Sequence, residues 1–143
     1  MARSIFATSL CCIDGRIQIG IHDFLRKNYG VHYIDTITEP GVNKILAEME
    51  DVFTINSLYQ KLLASIAFHQ SNLIAVVGHY DCIANPVNKE LHIQQVLKSI
   101  EILKKMQLPG NPEIIGLWVN ENWEATLIPN SFEEEQGKEP LSI

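Results

Sequence analysis

Two short polar motifs in this chain combine residue types that can bind a metal ion. The first is CIDGR at positions 12–16, and the second is GHYDC at positions 78–82. A histidine and a cysteine separated by two residues in a turn can hold one ion, and thiolate and imidazole together favour zinc. Adding Cys12 to His79 and Cys82 gives two thiolates and one imidazole. Three protein ligands and one open position are typical of a catalytic zinc site, whereas a structural site normally has four ligands.

The first motif also carries a carboxylate and a guanidinium, in Asp14 and Arg16. If the chain stays extended beyond the first strand, Cys12, Asp14 and Arg16 lie on one face, because side chains alternate with period two. Cys11 then points the opposite way, towards the core. A carboxylate held by a guanidinium stays ionised and is oriented to accept a proton from a water at the open metal position. Asp14 and Arg16 are therefore candidate catalytic residues.

Each motif has a simpler interpretation when it is taken alone. HxxC is also typical of a turn with a buried cysteine, and an Asp–Arg pair usually stabilises a loop. A redox dithiol made of Cys11 and Cys12 is disfavoured, because a bridge between adjacent cysteines is strained and would leave Asp14 and Arg16 unexplained. The metal hypothesis depends on the two motifs following neighbouring strands, which would bring them together.

The apolar pattern predicts an α/β protein with a mostly parallel central sheet flanked by helices and a C-terminal antiparallel hairpin at the edge. We expect an Asn85-Pro86 pair to open the last helix, with Asn85 as its N-cap. Ligands of such sheets bind beyond the carboxyl ends of the strands, where both motifs fall. The expected strands are 4–11, 31–37, 73–77, 114–119 and 123–128, and the expected helices are 21–28, 42–50, 55–69 and one that includes 91–106.

Length and composition narrow the class of protein. The 143 residues suit a single domain, which we place at residues 1–129, with a polar acidic tail or arm at 130–143. The net charge of −6 argues against a nucleic-acid partner. No apolar run approaches the ~18–20 residues of a membrane span, and the one near the N-terminus is shorter than the ~7–15 of a signal peptide, so we expect no membrane partner and a cytoplasmic location.

CxDxR followed by HxxC after an apolar strand and a glycine resembles the β-class carbonic anhydrases. Residues 57–59, on the helix before the second motif, and the late hairpin from residue 116 to 127 are also similar to segments of that family. The resemblance therefore covers nearly the whole of this short, divergent chain. It implies that Cys12, His79 and Cys82 bind Zn²⁺.

The same resemblance implies an activity and an assembly. The expected reaction is the reversible hydration of carbon dioxide to bicarbonate by zinc-bound hydroxide, with Asp14 and Arg16 as the catalytic dyad. A homodimer or a higher homo-oligomer is implied as well. Some members have a closed form in which the aspartate, here Asp14, becomes the fourth zinc ligand.

Two segments depart from the family pattern near the expected substrate pocket. Ile83 stands where the family usually has glycine after the second cysteine. The segment Thr38-Glu39-Pro40-Gly41 replaces an Arg-Asn-Ala-Gly segment, of which only Gly41 is kept. Gly41 is therefore the candidate substrate-binding residue.

These departures leave two further functions open. One is a zinc hydrolase that acts on a related small electrophile, such as carbonyl sulfide or carbon disulfide. The other is a zinc-binding homologue without turnover that serves as an interaction or sensor module.

Overall fold

A five-stranded sheet forms the centre of the protein, in a computed structural model that describes residues 4–129. The strand order is β2-β1-β3-β4-β5; the first four strands are parallel, and β5 runs antiparallel to β4 at the edge. This arrangement confirms the predicted fold class. The strands are β1 (Phe6–Cys11), β2 (Tyr33–Thr38), β3 (Leu73–His79), β4 (Glu113–Val119) and β5 (Ala125–Leu127).

Helices cover both faces of the sheet and create two apolar cores. On one face α1 packs through Ile21 and Leu25, and on the other α2, α3 and α4 enclose a larger cluster around Leu62. Every residue of β3 is buried, as a continuous apolar strand in a parallel sheet requires. The helices are α1 (Gln18–Tyr29), α2 (Val42–Glu48), α3 (Val52–His69) and α4 (Lys89–Lys105), and a short 3-10 helix (Gly15–Ile17) precedes α1.

The predicted start of the last helix is wrong. Asn88, and not Asn85, caps α4, and its side-chain oxygen accepts a hydrogen bond from the backbone N–H of Leu91 at 2.9 Å. Asn85 is buried in the preceding loop, where its amide donates to Gln95 Oε1 at 2.6 Å. Both asparagines suit a cap by residue type, and the tertiary contact with Gln95 decides between them.

Other boundaries differ by a few residues at the ends of the elements. The first long helix, α1, begins three residues before its predicted start, and so does α3, whereas the last strand is shorter than predicted. Within the described residues, no helix is both long and apolar enough to cross a membrane. The proposed tail at 130–143 lies outside the described residues, and the domain boundary at 129 stays a prediction.

Gly20 lets α1 pack closely against the turn between β4 and β5. A Cβ atom at this position would lie 2.4 Å from the backbone oxygen of Trp123. No side chain fits at that distance, so a larger residue must push the helix and the turn apart.

We expect Gly20→Ala to lower the free energy of unfolding by about 1–3 kcal/mol through overpacking. In an open helix the same change would stabilise by about 1 kcal/mol. Gly15→Ala is the control, because a Cβ atom there would meet nothing within 4 Å among residues 4–129, and we expect it to stay within about 0.5 kcal/mol of wild type. Urea denaturation measures both, and a stabilised Gly20→Ala would contradict the close packing.

Candidate metal centre

The two polar motifs meet at the carboxyl ends of the adjacent strands β1 and β3. Cys12 follows the last residue of β1, His79 is the last residue of β3, and Cys82 lies in the turn beyond it. All three side chains are buried, and their ligand atoms lie within 4.8 Å of one another. The prediction that the motifs follow neighbouring strands is therefore confirmed, and the cluster is compatible with one metal ion.

The histidine of this cluster presents an unpaired nitrogen. His79 Nδ1 lies 2.8 Å from the carbonyl oxygen of Tyr80 and must donate to it. The other ring nitrogen, Nε2, is buried and has no hydrogen-bond partner among residues 4–129. A backbone carbonyl that fixes the tautomer and leaves the second nitrogen free is the usual setting of a histidine ligand. The donor set and its orphaned nitrogen thus fit a metal such as zinc.

The two thiols of the cluster contact each other. The sulfur atoms of Cys82 and Cys12 are 4.0 Å apart, with Cys82 as the donor. This hydrogen bond holds the pKa of Cys12 well below the ordinary value of a thiol, despite burial, and it raises the pKa of Cys82, as does burial. Cys12 is therefore the more acidic thiol of the pair, and the thiolate is the form that binds metal ions.

Negative charge on Cys12 also acts on the neighbouring imidazole. Burial lowers the pKa of His79, but the Cys12 sulfur and the Tyr80 carbonyl outweigh it and leave that pKa raised.

Nearby, burial lowers the pKa of His92 to about 4, so this second imidazole is neutral at pH 7. His92 packs with its ring centroid 6.1 Å from that of His79. His92 is thus a buried packing residue.

Cys11 lies outside the cluster. Its sulfur contacts the side-chain amide of Gln18, with Gln18 Nε2 3.6 Å away. Burial raises the pKa of Cys11 to about 11. It is therefore a neutral thiol at physiological pH, in contrast to its neighbour Cys12.

Asp14 and Arg16 pair beside the cluster, but not by the predicted route. The chain is not extended beyond β1, because Asp14 caps the 3-10 helix through a hydrogen bond from the backbone N–H of Arg16 to Oδ1 at 2.9 Å. The guanidinium then folds back onto the same carboxylate, with Nε 3.0 Å from Oδ1 and Nη2 2.6 Å from Oδ2. These bonds lower the pKa of Asp14 to about 2.

Gly41 lies next to the sulfur of Cys12. Its φ of +66° is in the left-handed region that favours glycine, and a Cβ would lie 2.9 Å from the backbone oxygen of Ala84. A backbone hydrogen bond from Gly41 contributes to the low pKa of Cys12. Gly41 therefore helps to shape the cluster.

Comparison with known proteins identifies the family. A family model described as "Putative carbonic anhydrase" matches residues 2–129. The chain belongs to this carbonic anhydrase family. No curated protein matches the chain significantly by sequence.

Solved β-carbonic anhydrases are similar to this family member in fold. The enzyme CafA of Aspergillus fumigatus is 12% identical, with 92% of this chain and 79% of that chain covered and a TM-score of 0.55. A structure from a study of two tetrameric β-carbonic anhydrases of Sordaria macrospora is 13% identical, with 90% and 82% covered and a TM-score of 0.49. At this identity, the similarity to CafA shows a shared fold.

In this carbonic anhydrase family member, Arg16 is contacted by two residues besides Asp14. Sequence reasoning did not connect either of them with the Asp14–Arg16 dyad. Asp81 accepts a hydrogen bond from Arg16 Nη1 at 3.2 Å, and the ring of Trp123 lies 4.4 Å from the guanidinium carbon. Asp81 lies within the second motif, so a carboxylate near the site was visible in the sequence. No local signal in the sequence links Trp123 to Arg16.

We expect Cys12→Ser to lose most bound zinc and Cys11→Ser to keep it. Wild type should purify with about one zinc per chain, because two thiolates and one imidazole suit this ion. Cys11 serves as the matched control, since it is adjacent in sequence, also buried and bonded to Gln18 instead. Metal analysis of the purified variants decides the result, and equal zinc in both would reject Cys12 as a ligand.

Proposed function

We propose that this protein binds one zinc ion and interconverts carbon dioxide and bicarbonate. The observation that carries the proposal is the buried Cys12, His79 and Cys82 cluster beside a carboxylate that is held by Arg16. Family membership supports the reaction class. In this proposal the three clustered residues hold the ion, and a fourth position is left for chemistry.

Zinc in such a site lowers the pKa of a coordinated water towards ~7 and so supplies a nucleophile at neutral pH. Asp14 then acts as an oriented hydrogen-bond acceptor. With its pKa lowered to about 2 by Arg16, the carboxylate stays ionised at neutral pH and does not retain a proton. It can therefore align the O–H of the attacking water, while the proton leaves to buffer.

The cavity beside the cluster suits a small, uncharged substrate. A volume of about 460 Å³ adjoins His79 and Cys82 and is lined in part by Val87 and Trp118. Asp81, Asn88 and Lys89 also line this cavity, and its apolar part can accept carbon dioxide without desolvating a charge. We propose that Gly41 borders the substrate on the side of Cys12. A side chain at position 41 would collide with Ala84.

One observation favours a second substrate class. Ile83, which replaces the usual family glycine, lines the same cavity and is 79% exposed. An apolar side chain such as Ile83 at the cavity opening also suits carbonyl sulfide or carbon disulfide. The same nucleophile would attack either of them at carbon. Release of hydrogen sulfide from these substrates, measured beside carbon dioxide hydration, separates the two. No turnover of any of them by zinc-loaded protein would leave a binding or sensor role.

Assembly and location complete the proposal. We infer a homodimer or a higher homo-oligomer, because the edge strand β2 is open on one side among residues 4–129 and large apolar side chains such as Phe53, 87% exposed, lie on the surface. A reducing compartment such as the cytoplasm is consistent with three free cysteines. Light scattering and cell fractionation test these two points.

We expect Asp14→Asn to keep zinc and to lose carbon dioxide hydration by roughly a hundredfold or more. The amide keeps the shape of the side chain but cannot accept the hydrogen bonds of the guanidinium and of the water together. Stopped-flow measurement with a pH indicator gives the rate. Asp23→Asn, an exposed carboxylate on α1, is the control, and an active wild type that tolerates Asp14→Asn would disprove the role.

We expect Arg16→Ala to be inactive across the pH range in which wild type becomes active, with zinc still bound. Without its guanidinium partner, the pKa of Asp14 rises towards its ordinary value and the carboxylate is free to take the open position. Arg16→Lys should recover only part of the activity, because lysine cannot form the two-point contact. Zinc analysis with pH–rate profiles tests this, and wild-type rates in Arg16→Ala would refute it.

A further inference from the structure

Trp123 occupies an unusual place in the turn between β4 and β5. Its φ is +62°, in the left-handed region that large side chains rarely adopt. Asn120 stabilises the turn, because its carbonyl accepts from Trp123 N at 2.9 Å and its side-chain oxygen accepts from the N–H groups of Asn122 and Glu124. A strained backbone held in this way indicates that the position of the Trp123 ring matters.

The ring of Trp123 is placed by contacts from three parts of the chain. The backbone oxygen of Trp123 lies against Gly20 of α1, where a Cβ atom on Gly20 would be only 2.4 Å away. Tyr80, next to His79, meets the ring edge-on at a centroid distance of 6.2 Å. Arg16, from the turn after β1, lies over the ring face with its central carbon 4.4 Å from the centroid.

The guanidinium of Arg16 is bound along its edges by two acidic residues. Asp14 accepts from Nε and Nη2, while Asp81 accepts from Nη1 through Oδ2 and from Nη2 through its backbone oxygen, both at 3.2 Å. These bonds engage all three nitrogens of the guanidinium. Trp123 covers one face, which would otherwise admit water to a side chain that is 43% exposed.

We propose that Trp123 is a positioning residue that holds Arg16 on the Asp14 carboxylate. A cation over an indole face is attracted by the ring quadrupole, and the flat guanidinium also stacks on it. The contact therefore adds a restraint on Arg16 to the hydrogen bonds that Asp14 and Asp81 accept. The catalytic part of this inference rests on the proposed carbon dioxide hydration, whereas the restraint on Arg16 does not.

The first test measures the restraint directly in the zinc-loaded protein. NMR gives the rate at which the Arg16 Nε–H exchanges with solvent, which is slow while Asp14 holds it. We expect Trp123→Leu to accelerate this exchange by about three- to thirtyfold, the range of a cation–π contact. Trp123→Phe keeps an aromatic face and should restore most of the protection. Thr126→Ala, in the adjoining strand β5, is the control and should match wild type.

Fluorinated tryptophan at position 123 provides a second test, which remains valid if Trp123→Leu does not fold. Fluorine draws electron density from the ring face and weakens its attraction for a cation, while the shape of the ring changes little. Exchange should then accelerate as fluorine atoms are added. If Arg16 Nε–H exchanges at the wild-type rate in both the fluorinated protein and Trp123→Leu, the proposal is overturned. If Trp123→Leu does not fold, wild-type exchange in the fluorinated protein alone overturns it.

The second test compares exchange with catalysis. In an active wild type, the kcat for hydration should fall in the order wild type, Trp123→Phe, Trp123→Leu, with KM within about twofold and zinc content unchanged. Faster exchange with an unaltered kcat would overturn the positioning role. A wild type without hydration activity would instead reject the proposed function, and the exchange rates would still decide whether Trp123 restrains Arg16.

Discussion

Burial of three side chains that could hold a metal ion, all at one point, constrains the rest of this structure. Cys12, His79 and Cys82 converge because β1 and β3 are parallel neighbours whose carboxyl ends meet at one sheet edge. An unpaired buried nitrogen on His79 costs free energy comparable to a lost hydrogen bond, and a buried thiolate costs more. The hydrogen bond between the two sulfurs offsets part of this cost, and the proposed zinc ion would satisfy all three side chains.

The dyad beside the cluster is stabilised differently, because it lies near solvent. A single exposed ion pair contributes little to stability, yet Arg16 makes a two-point contact with Asp14 and further bonds with Asp81. The ring of Trp123 adds contact on one face. Several weak restraints in different directions thus define one orientation of the carboxylate. In the proposed reaction that orientation, and not the basicity of Asp14, is what the dyad supplies.

Family and fold carry different amounts of information about this protein. Structural similarity at 12% identity to CafA shows the fold, and one fold can serve several chemistries. The family model shows membership. The proposed substrates rest instead on local features, among them Ile83, which lines the cavity, and the segment that ends at Gly41. Our proposals on substrate therefore depend on these residues.

The sequence by itself determined the sheet class and the two motifs, because strand burial and residue type are local properties that are visible in a run such as 73–77. It also separated Cys12 from Cys11. The tertiary structure alone decided that Asp14 reaches Arg16 through a 3-10 turn, that Asn85 bonds Gln95 instead of capping α4, and that Trp123 covers Arg16. Each of these depends on contacts between chain segments, or on a turn after a strand, that residue spacing does not encode.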